Sequence, residues 1–221
     1  MDPLWSLLTF IGYAFCHQLP ERSYMFADLQ MPLCARCIGI HVGFLLSSVV
    51  VWTGARRFAS GIWNRKIVIA IATTVIFGFA MAIASYLGLG GDDNLSRTIS
   101  GLLIGTPLPF IVVPVLNMAM FPGRNRRSFL DSPLDILLVI AAFALGAALI
   151  LLATGSIVLF YLASILGILG MLAFTFTMVS ILVAVLTDGK GMRIRNKLIV
   201  SAVLSLALIL LLAAIHSVIL P

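Results

Sequence analysis

Six long stretches of this sequence carry almost no charged residue, and each is long enough to cross a lipid bilayer as an α-helix. A hydrocarbon core about 30 Å thick needs about 20 apolar residues at about 1.5 Å per residue. Backbone polar groups find no partner in hydrocarbon, so such stretches must form helices. The sequence therefore predicts an all-α polytopic membrane helix bundle in a single domain, residues 1–221, with spans at 34–54, 67–88, 98–121, 136–154, 156–186 and 198–220.

A seventh apolar run, residues 4–16, is too short to cross a bilayer. As a helix it would extend about 20 Å, against a hydrocarbon core of about 30 Å. Asp2 is the only charge before it, and no cleavage site of small residues follows it, so a signal peptide is not indicated. We predict a short N-terminal helix that lies at the interface or enters half of the membrane.

The basic residues fall in alternate loops between the predicted spans. Eleven of the fourteen Lys and Arg side chains lie in three loops, residues 55–66, 122–135 and 187–197. Positively charged loops mark the cytoplasmic side of a membrane protein. This pattern predicts a multi-pass protein of the cell (inner) membrane with residues 17–33 and the C-terminus outside. It also accounts for the net charge of +6 without a nucleic-acid partner.

All three cysteines lie in residues 16–43, around a polar loop. Cys34 and Cys37 are spaced Cys-x-x-Cys, so both thiolates can point at one metal ion. A tetrahedral zinc site then needs two further ligands, which Cys16 and a histidine can supply. The segment therefore predicts a zinc site on the exterior side, either structural or catalytic.

Two histidines of the same segment compete as the fourth ligand. If a helix starts near Pro32, His41 lies on the face that carries Cys34 and Cys37. His17 directly follows a cysteine, and adjacent side chains point in different directions, so binding through both would need a suitable turn. Three cysteines and one histidine are a known set of structural zinc ligands.

The same cysteines also permit a redox function. A Cys-x-x-Cys pair at a helix N-terminus has lowered thiol pKa values because the helix dipole stabilises thiolate, and Arg36 between the two cysteines would lower them further. An exterior location favours disulfides. The sequence thus leaves open a membrane thiol-disulfide oxidoreductase that uses Cys34 and Cys37. A small-solute or ion carrier is a third hypothesis.

Three basic residues lie on the predicted exterior side, where membrane topology does not require them. These are Arg22, Arg36 and Arg97. Arginine pairs bidentately with carboxylate or phosphate. They predict either an anion pocket beside the cysteines, for an anionic or lipidic substrate, or ion pairs with Glu21 or an aspartate that fix the loops.

Two pairs of glycines, each spaced four residues apart, lie in the outer halves of the first and third spans. They are Gly39 with Gly43, and Gly101 with Gly105. Small residues let helix backbones approach closely, so we predict that these two spans pack against each other. This packing would bring Arg97 towards the Cys-x-x-Cys pair.

Prolines interrupt the third span at positions 107, 109 and 114. Proline removes a backbone hydrogen bond and kinks a helix. We therefore expect this span to bend or to unwind locally.

Several ordered elements of the sequence resemble a family of prokaryotic membrane proteins catalogued as domain of unknown function 2085. The first motif comprises Cys16-His17-Gln18, Pro20-Glu21-Arg22-Ser23, Pro32-Leu33-Cys34-Ala35-Arg36-Cys37-x-Gly39-Ile40 and Gly43, and the second is Asn94-Leu95-x-Arg97-x-x-x-Gly101. Together they cover about a fifth of the chain.

This resemblance implies a small polytopic membrane protein and brings no established reaction. It singles out the three cysteines, the three arginines, His17 and the glycines as motif positions. The family pattern has an aromatic residue where His41 stands, which favours His17 as the fourth metal ligand beside the cysteines.

Overall fold

A computed structural model describes residues 3–52, 65–91, 93–121, 133–188 and 191–219. Within these residues the chain forms eight α-helices and one short hairpin. The helices are α1 (Pro3–Gly12), α2 (Ala35–Trp52), α3 (Arg65–Tyr86), α4 (Asn94–Gly105), α5 (Pro109–Met120), α6 (Pro133–Leu152), α7 (Ile157–Leu186) and α8 (Ile194–Ile219). Strands β1 (Met25–Phe26) and β2 (Leu29–Gln30) pair antiparallel between α1 and α2.

These helices confirm the all-α membrane bundle with six spans and a short N-terminal helix. Five spans come from α2, α3, α6, α7 and α8, and the sixth from α4 continued by α5. α1 is apolar but only 10 residues long. Most of two predicted basic loops, at 55–66 and 122–135, lies outside the described residues. The sidedness of the membrane therefore stays a prediction.

The third span is broken, as its prolines predicted. α4 ends at Gly105, and α5 begins at Pro109. Pro107 and Pro109 have no N–H to donate, so the helical hydrogen-bond ladder cannot continue through them. The N–H of Phe110 donates instead to the carbonyl of Pro107, three residues back, at 3.2 Å. Pro114 lies inside α5 without ending it.

Three helices form the centre of the bundle and run in the same direction. α2, the α4–α5 span and α7 bury larger shares of their residues than α3, α6 and α8, which expose many apolar side chains. Along α2, each later glycine contacts a residue further along the third span. Along α7, each later glycine likewise contacts a residue further along α2, so the three helices are parallel. The loop that carries the cysteines lies at the end where these three central helices start.

The glycine pairs of α2 and α4 lie at the contact between these helices. A Cβ at Gly39 would lie 2.6 Å from the carbonyl oxygen of Thr98, and one at Gly43 would lie 2.9 Å from a threonine hydroxyl in the break. At Gly101 and Gly105 a Cβ would collide with the backbone of α2. The lack of side chains lets the two backbones touch. This contact fixes the start of α2, where the Cys-x-x-Cys pair lies.

Candidate metal centre

Gln18 holds the two ends of the loop between α1 and α2 together. Its side-chain amide donates to the carbonyls of Thr9, at 2.7 Å, and Pro32, at 2.9 Å. Its backbone φ is 52°, in the left-handed region that few residues adopt. Gly12 makes room for this arrangement, because a Cβ there would collide with the carbonyl of Pro32. The cysteines at the two ends of the loop are thereby brought close to each other.

The middle of the loop is tied to α4 through Tyr24 and Asn94. The hydroxyl of Tyr24 donates to the carbonyl of Asn94 at 3.1 Å and lies 2.9 Å from the hydroxyl of Thr98. The side chain of Asn94 donates back to the carbonyl of Ser23 at 3.0 Å. These bonds join the two motif elements that are separated in the sequence.

A Tyr24→Phe substitution is expected to loosen this attachment while keeping the packing of the ring. It removes two hydrogen bonds, each with a net contribution of about 1 kcal/mol, so the free energy of unfolding should fall by about 1–2 kcal/mol. Unfolding in detergent measures this loss. Tyr86→Phe is the matched control, because Tyr86 is 79% exposed. An equal loss in both variants would show that the hydroxyl of Tyr24 does not anchor the loop.

The three cysteine sulfurs form one cluster. Cys16 follows α1, Cys34 directly precedes α2, and Cys37 lies in the first turn of α2. Their Sγ atoms all lie within 4.8 Å of one another. The backbone N–H of Cys34 donates to the Sγ of Cys16 at 3.2 Å. Cys16 is 2% exposed and the other two are half-buried, and all three are free thiols.

Hydrogen bonding affects the pKa values of these thiols in opposite directions. Bonds from the thiols of Cys16 and Cys37 lower the pKa of Cys34, and backbone N–H groups at the start of α2 act in the same direction. The bond with Cys34 conversely raises the pKa of Cys16 to about 11. Because the thiolate is both the metal ligand and the nucleophile, Cys34 is the sulfur best prepared for either role.

The two candidate histidines have different surroundings, and neither ring belongs to the sulfur cluster. His17 is exposed and packs edge-on against His216 of α8, with ring centroids 4.8 Å apart. The Nδ1 of His216 in turn lies 2.6 Å from the carbonyl oxygen of Tyr13. His41 is 8% exposed, and its Nδ1 has no hydrogen-bond partner within the described residues. A buried nitrogen of this kind is uncommon and calls for a partner.

Ser100 of α4 contacts both Arg36 and Arg97, the first through its guanidinium and the second through its backbone carbonyl. The Nε of Arg36 donates to the Ser100 hydroxyl at 3.4 Å, and its Nη2 donates to the carbonyl of Ala82 in α3 at 3.5 Å. The Ser100 hydroxyl donates to the carbonyl of Arg97 at 2.8 Å, and Arg97 Nη1 donates to the carbonyl of Glu21 at 3.4 Å. Across the ranges that the structure describes, neither guanidinium forms an ion pair with a carboxylate.

The third candidate arginine has a carboxylate partner. Arg22 Nε lies 3.9 Å from Glu21 Oε1, and their side chains are 45% and 65% exposed. Exposed ion pairs contribute little to stability. Arg22 thus follows the second of the two predicted alternatives, in which an acidic neighbour pairs with the arginine. Asp92, another acidic residue of this side, lies outside the described residues.

Comparison with known proteins shows which family these residues resemble. Residues 16–111 match the model of a family described as "Predicted membrane protein (DUF2085)". An uncharacterized protein of the archaeon Methanocaldococcus jannaschii is 28% identical over 116 residues, which are 50% of this chain and 72% of the relative. No solved structure matches. Residues 16–111, which hold the three cysteines and both glycine pairs, are thus similar to the membrane protein family of domain of unknown function 2085.

Proposed function

We propose that this membrane protein holds one metal ion, zinc, through the thiolates of Cys16, Cys34 and Cys37 and one histidine. The observation that carries the proposal is the convergence of three sulfurs within 4.8 Å from the two ends of one loop. Zinc–sulfur bonds of about 2.3 Å in a tetrahedron place the sulfurs about 3.8 Å apart. The thiols need only small movements to reach that geometry.

We assign the fourth ligand position to His41. It follows Cys37 by four residues within α2, and it follows Cys34, which directly precedes α2, by seven, a spacing that puts all three side chains on one side of the helix axis. A bond to the metal would satisfy its buried Nδ1, which has no partner in the described part of the chain. His17, the ligand that the family pattern favours, is the alternative. Its ring would have to leave the ring of His216.

The position of the cluster supports a structural role for the metal. A metal bound there would join the loop after α1 to the start of a central helix. Trp5 and Leu8 of α1 and Phe160 of α7 belong to the same apolar cluster as Cys16, which keeps water from that sulfur. In the topology that the basic loops predict, this end faces the exterior. The metal would then fix the loop beside Arg36 and Arg97, where an anionic or lipidic substrate would bind.

Thiol-disulfide exchange is the second candidate function, and the surroundings of Cys34 favour it. The Cys34 thiolate would attack a disulfide of a partner, and Cys37 would then displace the partner from the mixed disulfide. The partner leaves as a dithiol, and Cys34 and Cys37 become a disulfide. In this function Cys16 has no role as a ligand.

Elemental analysis of the purified protein, with a thiol count before and after chelation, separates the two functions. Zinc ligation predicts one zinc ion per chain, thiols that react slowly with a labelling reagent, and three reactive thiols after chelation. The variants Cys16→Ser, Cys34→Ser and Cys37→Ser should each lose most of the metal, because each removes one ligand.

Three results would overturn parts of this assignment. Metal-free protein with a reducible Cys34–Cys37 disulfide would replace zinc binding by thiol exchange. A Cys37→Ser variant that keeps its full metal content would remove Cys37 from the ligand set. His41→Ala and His17→Ala decide the fourth ligand, since only the variant of the true ligand should bind zinc more weakly.

A further inference from the structure

An apolar cavity lies among the membrane-spanning helices, between α3, the α4–α5 span and α6. Its volume is about 410 Å³. Its lining is almost wholly hydrocarbon, and the hydroxyls in it belong to Thr74 and Thr106. The Thr106 hydroxyl is buried without a hydrogen-bond partner in the described residues, and the break at Pro107 forms part of the wall. Such a lining suits a hydrocarbon chain and does not suit water.

Arg36 and Arg97, which pair with no carboxylate of the described residues, lie towards one end of the same α3–α4 seam. Arg36 reaches across it, from Ser100 on α4 to Ala82 on α3. Ser100 also binds the backbone of Arg97, one turn earlier in α4. The guanidinium of Arg97 reaches Glu21 of the loop, so both charges lie at the end of the bundle that carries the cysteine loop.

The cavity lies one hydrocarbon-chain depth below these arginines. The α4–α5 span lines it from Leu102 to Phe110, which are five and thirteen residues beyond Arg97. At about 1.5 Å per residue this is about 7–20 Å along the span. On α3 the lining runs from Thr74 to Ile67, eight to fifteen residues from Ala82, or about 12–22 Å. One leaflet of hydrocarbon is about 15 Å deep, so on both helices the near end of the cavity lies within reach of an acyl chain.

We propose that a lipid with an anionic phosphate headgroup binds along this seam, with its phosphate at Arg36 and Arg97 and one hydrocarbon chain in the cavity. Guanidinium groups bind phosphate through paired, charge-assisted hydrogen bonds. The chain passes from the bilayer into a site whose lining is almost as apolar as the bilayer itself. This inference rests on the proposed function in one respect, because the lipid is the anionic ligand expected beside the metal site.

Lipid retention tests the proposal. The protein is loaded in micelles that contain phosphatidylglycerol and phosphatidylcholine with identical chains, washed with detergent, and its retained lipids are counted by mass spectrometry. Wild type should keep phosphatidylglycerol in preference to phosphatidylcholine. Arg97→Gln should lower that preference about tenfold, the effect of losing one hydrogen bond between charged groups. Arg195→Gln is the matched control, because this exposed arginine lies on α8, outside the proposed site.

The hydrocarbon chain is tested by filling the cavity. Ala70→Leu adds a larger side chain to the lining, whereas Ala72→Leu makes the same change on α3 outside it. Only Ala70→Leu should reduce the retention of long-chain phosphatidylglycerol. Inorganic phosphate should displace little of this lipid, because it binds the headgroup site alone.

Three outcomes would overturn the proposal. Wild type could retain the two lipids equally, or Arg97→Gln and Arg195→Gln could lose phosphatidylglycerol equally. Complete displacement of the lipid by inorganic phosphate would indicate a site for free phosphate instead.

The zinc content of the same preparations separates this inference from the metal site. Arg97→Gln protein that keeps its zinc but loses the lipid supports both proposals, and zinc-free wild type that still selects phosphatidylglycerol would refute only the metal site.

Discussion

Replacing Gly105 with alanine is expected to lower the free energy of unfolding by about 3 kcal/mol, the upper end of the range for overpacking. The new Cβ would collide with the carbonyl group of Ile40 in α2. A backbone carbonyl inside a helix cannot turn away as a flexible side chain can. α2 would therefore have to move away from α4. The Cys-x-x-Cys pair at the start of α2 would move with it.

Gly155→Ala is the matched control for this substitution. Gly155 ends the short helical turn Ala153–Gly155 between α6 and α7, and a Cβ there would meet nothing within 4 Å. Both substitutions restrict the unfolded chain to a similar degree. The difference between their unfolding midpoints in a denaturing-detergent titration thus reports the contact itself. Equal midpoints would show that α2 and α4 do not touch at Gly105.

The sequence predicts the spans well because length and hydropathy are local properties. Its largest errors are four residues, at the start of the third span, predicted at 98 and found at Asn94, and of the sixth, predicted at 198 and found at Ile194. The first turn of α4 is polar, so it has no hydropathy signal. It is helical because Asp93 caps it, accepting a hydrogen bond from the N–H of Ser96 at 3.0 Å. The sequence signal for the true start of α4 was a helix-capping residue, Asp93, directly before a polar turn.

The candidate site could be predicted only in its local part. The spacing of Cys34 and Cys37 places both on one helix face, and this needs no tertiary information. By contrast, the approach of Cys16 depends on Gln18, whose left-handed backbone conformation is not signalled by its residue type. The contact of His17 with His216 joins opposite ends of the chain, and no local pattern indicates it.

The same distinction applies to the arginines. Their sequence positions identify three charges on one predicted side, but they do not tell which of these charges has a partner. Arg22 pairs with its sequence neighbour Glu21. Arg36 instead contacts α3 and α4, and these contacts arise from the packing of three helices. The cavity below it has the same tertiary origin.

Chelation of the proposed zinc is expected to produce the second large effect, a loss of about 4 kcal/mol in unfolding free energy. This is the contribution of a ligand that binds only the folded state at a free concentration about 1,000 times its Kd. A metal bound by the three cysteines would join Cys16 to the start of α2 across the whole loop. Unfolding midpoints with and without chelator measure the loss, and Cys16→Ser should make the midpoint almost insensitive to chelator.

Hydrogen exchange locates this effect within the chain. The close glycine contacts with α4 hold α2 independently of the metal, so its amides should stay protected after chelation. Residues 17–33 keep only their bonds through Gln18, Tyr24 and Asn94, and their exchange should accelerate. Equal acceleration in α2 and the loop would mean that the metal stabilises the whole bundle. Unchanged exchange in the loop would mean that these hydrogen bonds hold it without a metal.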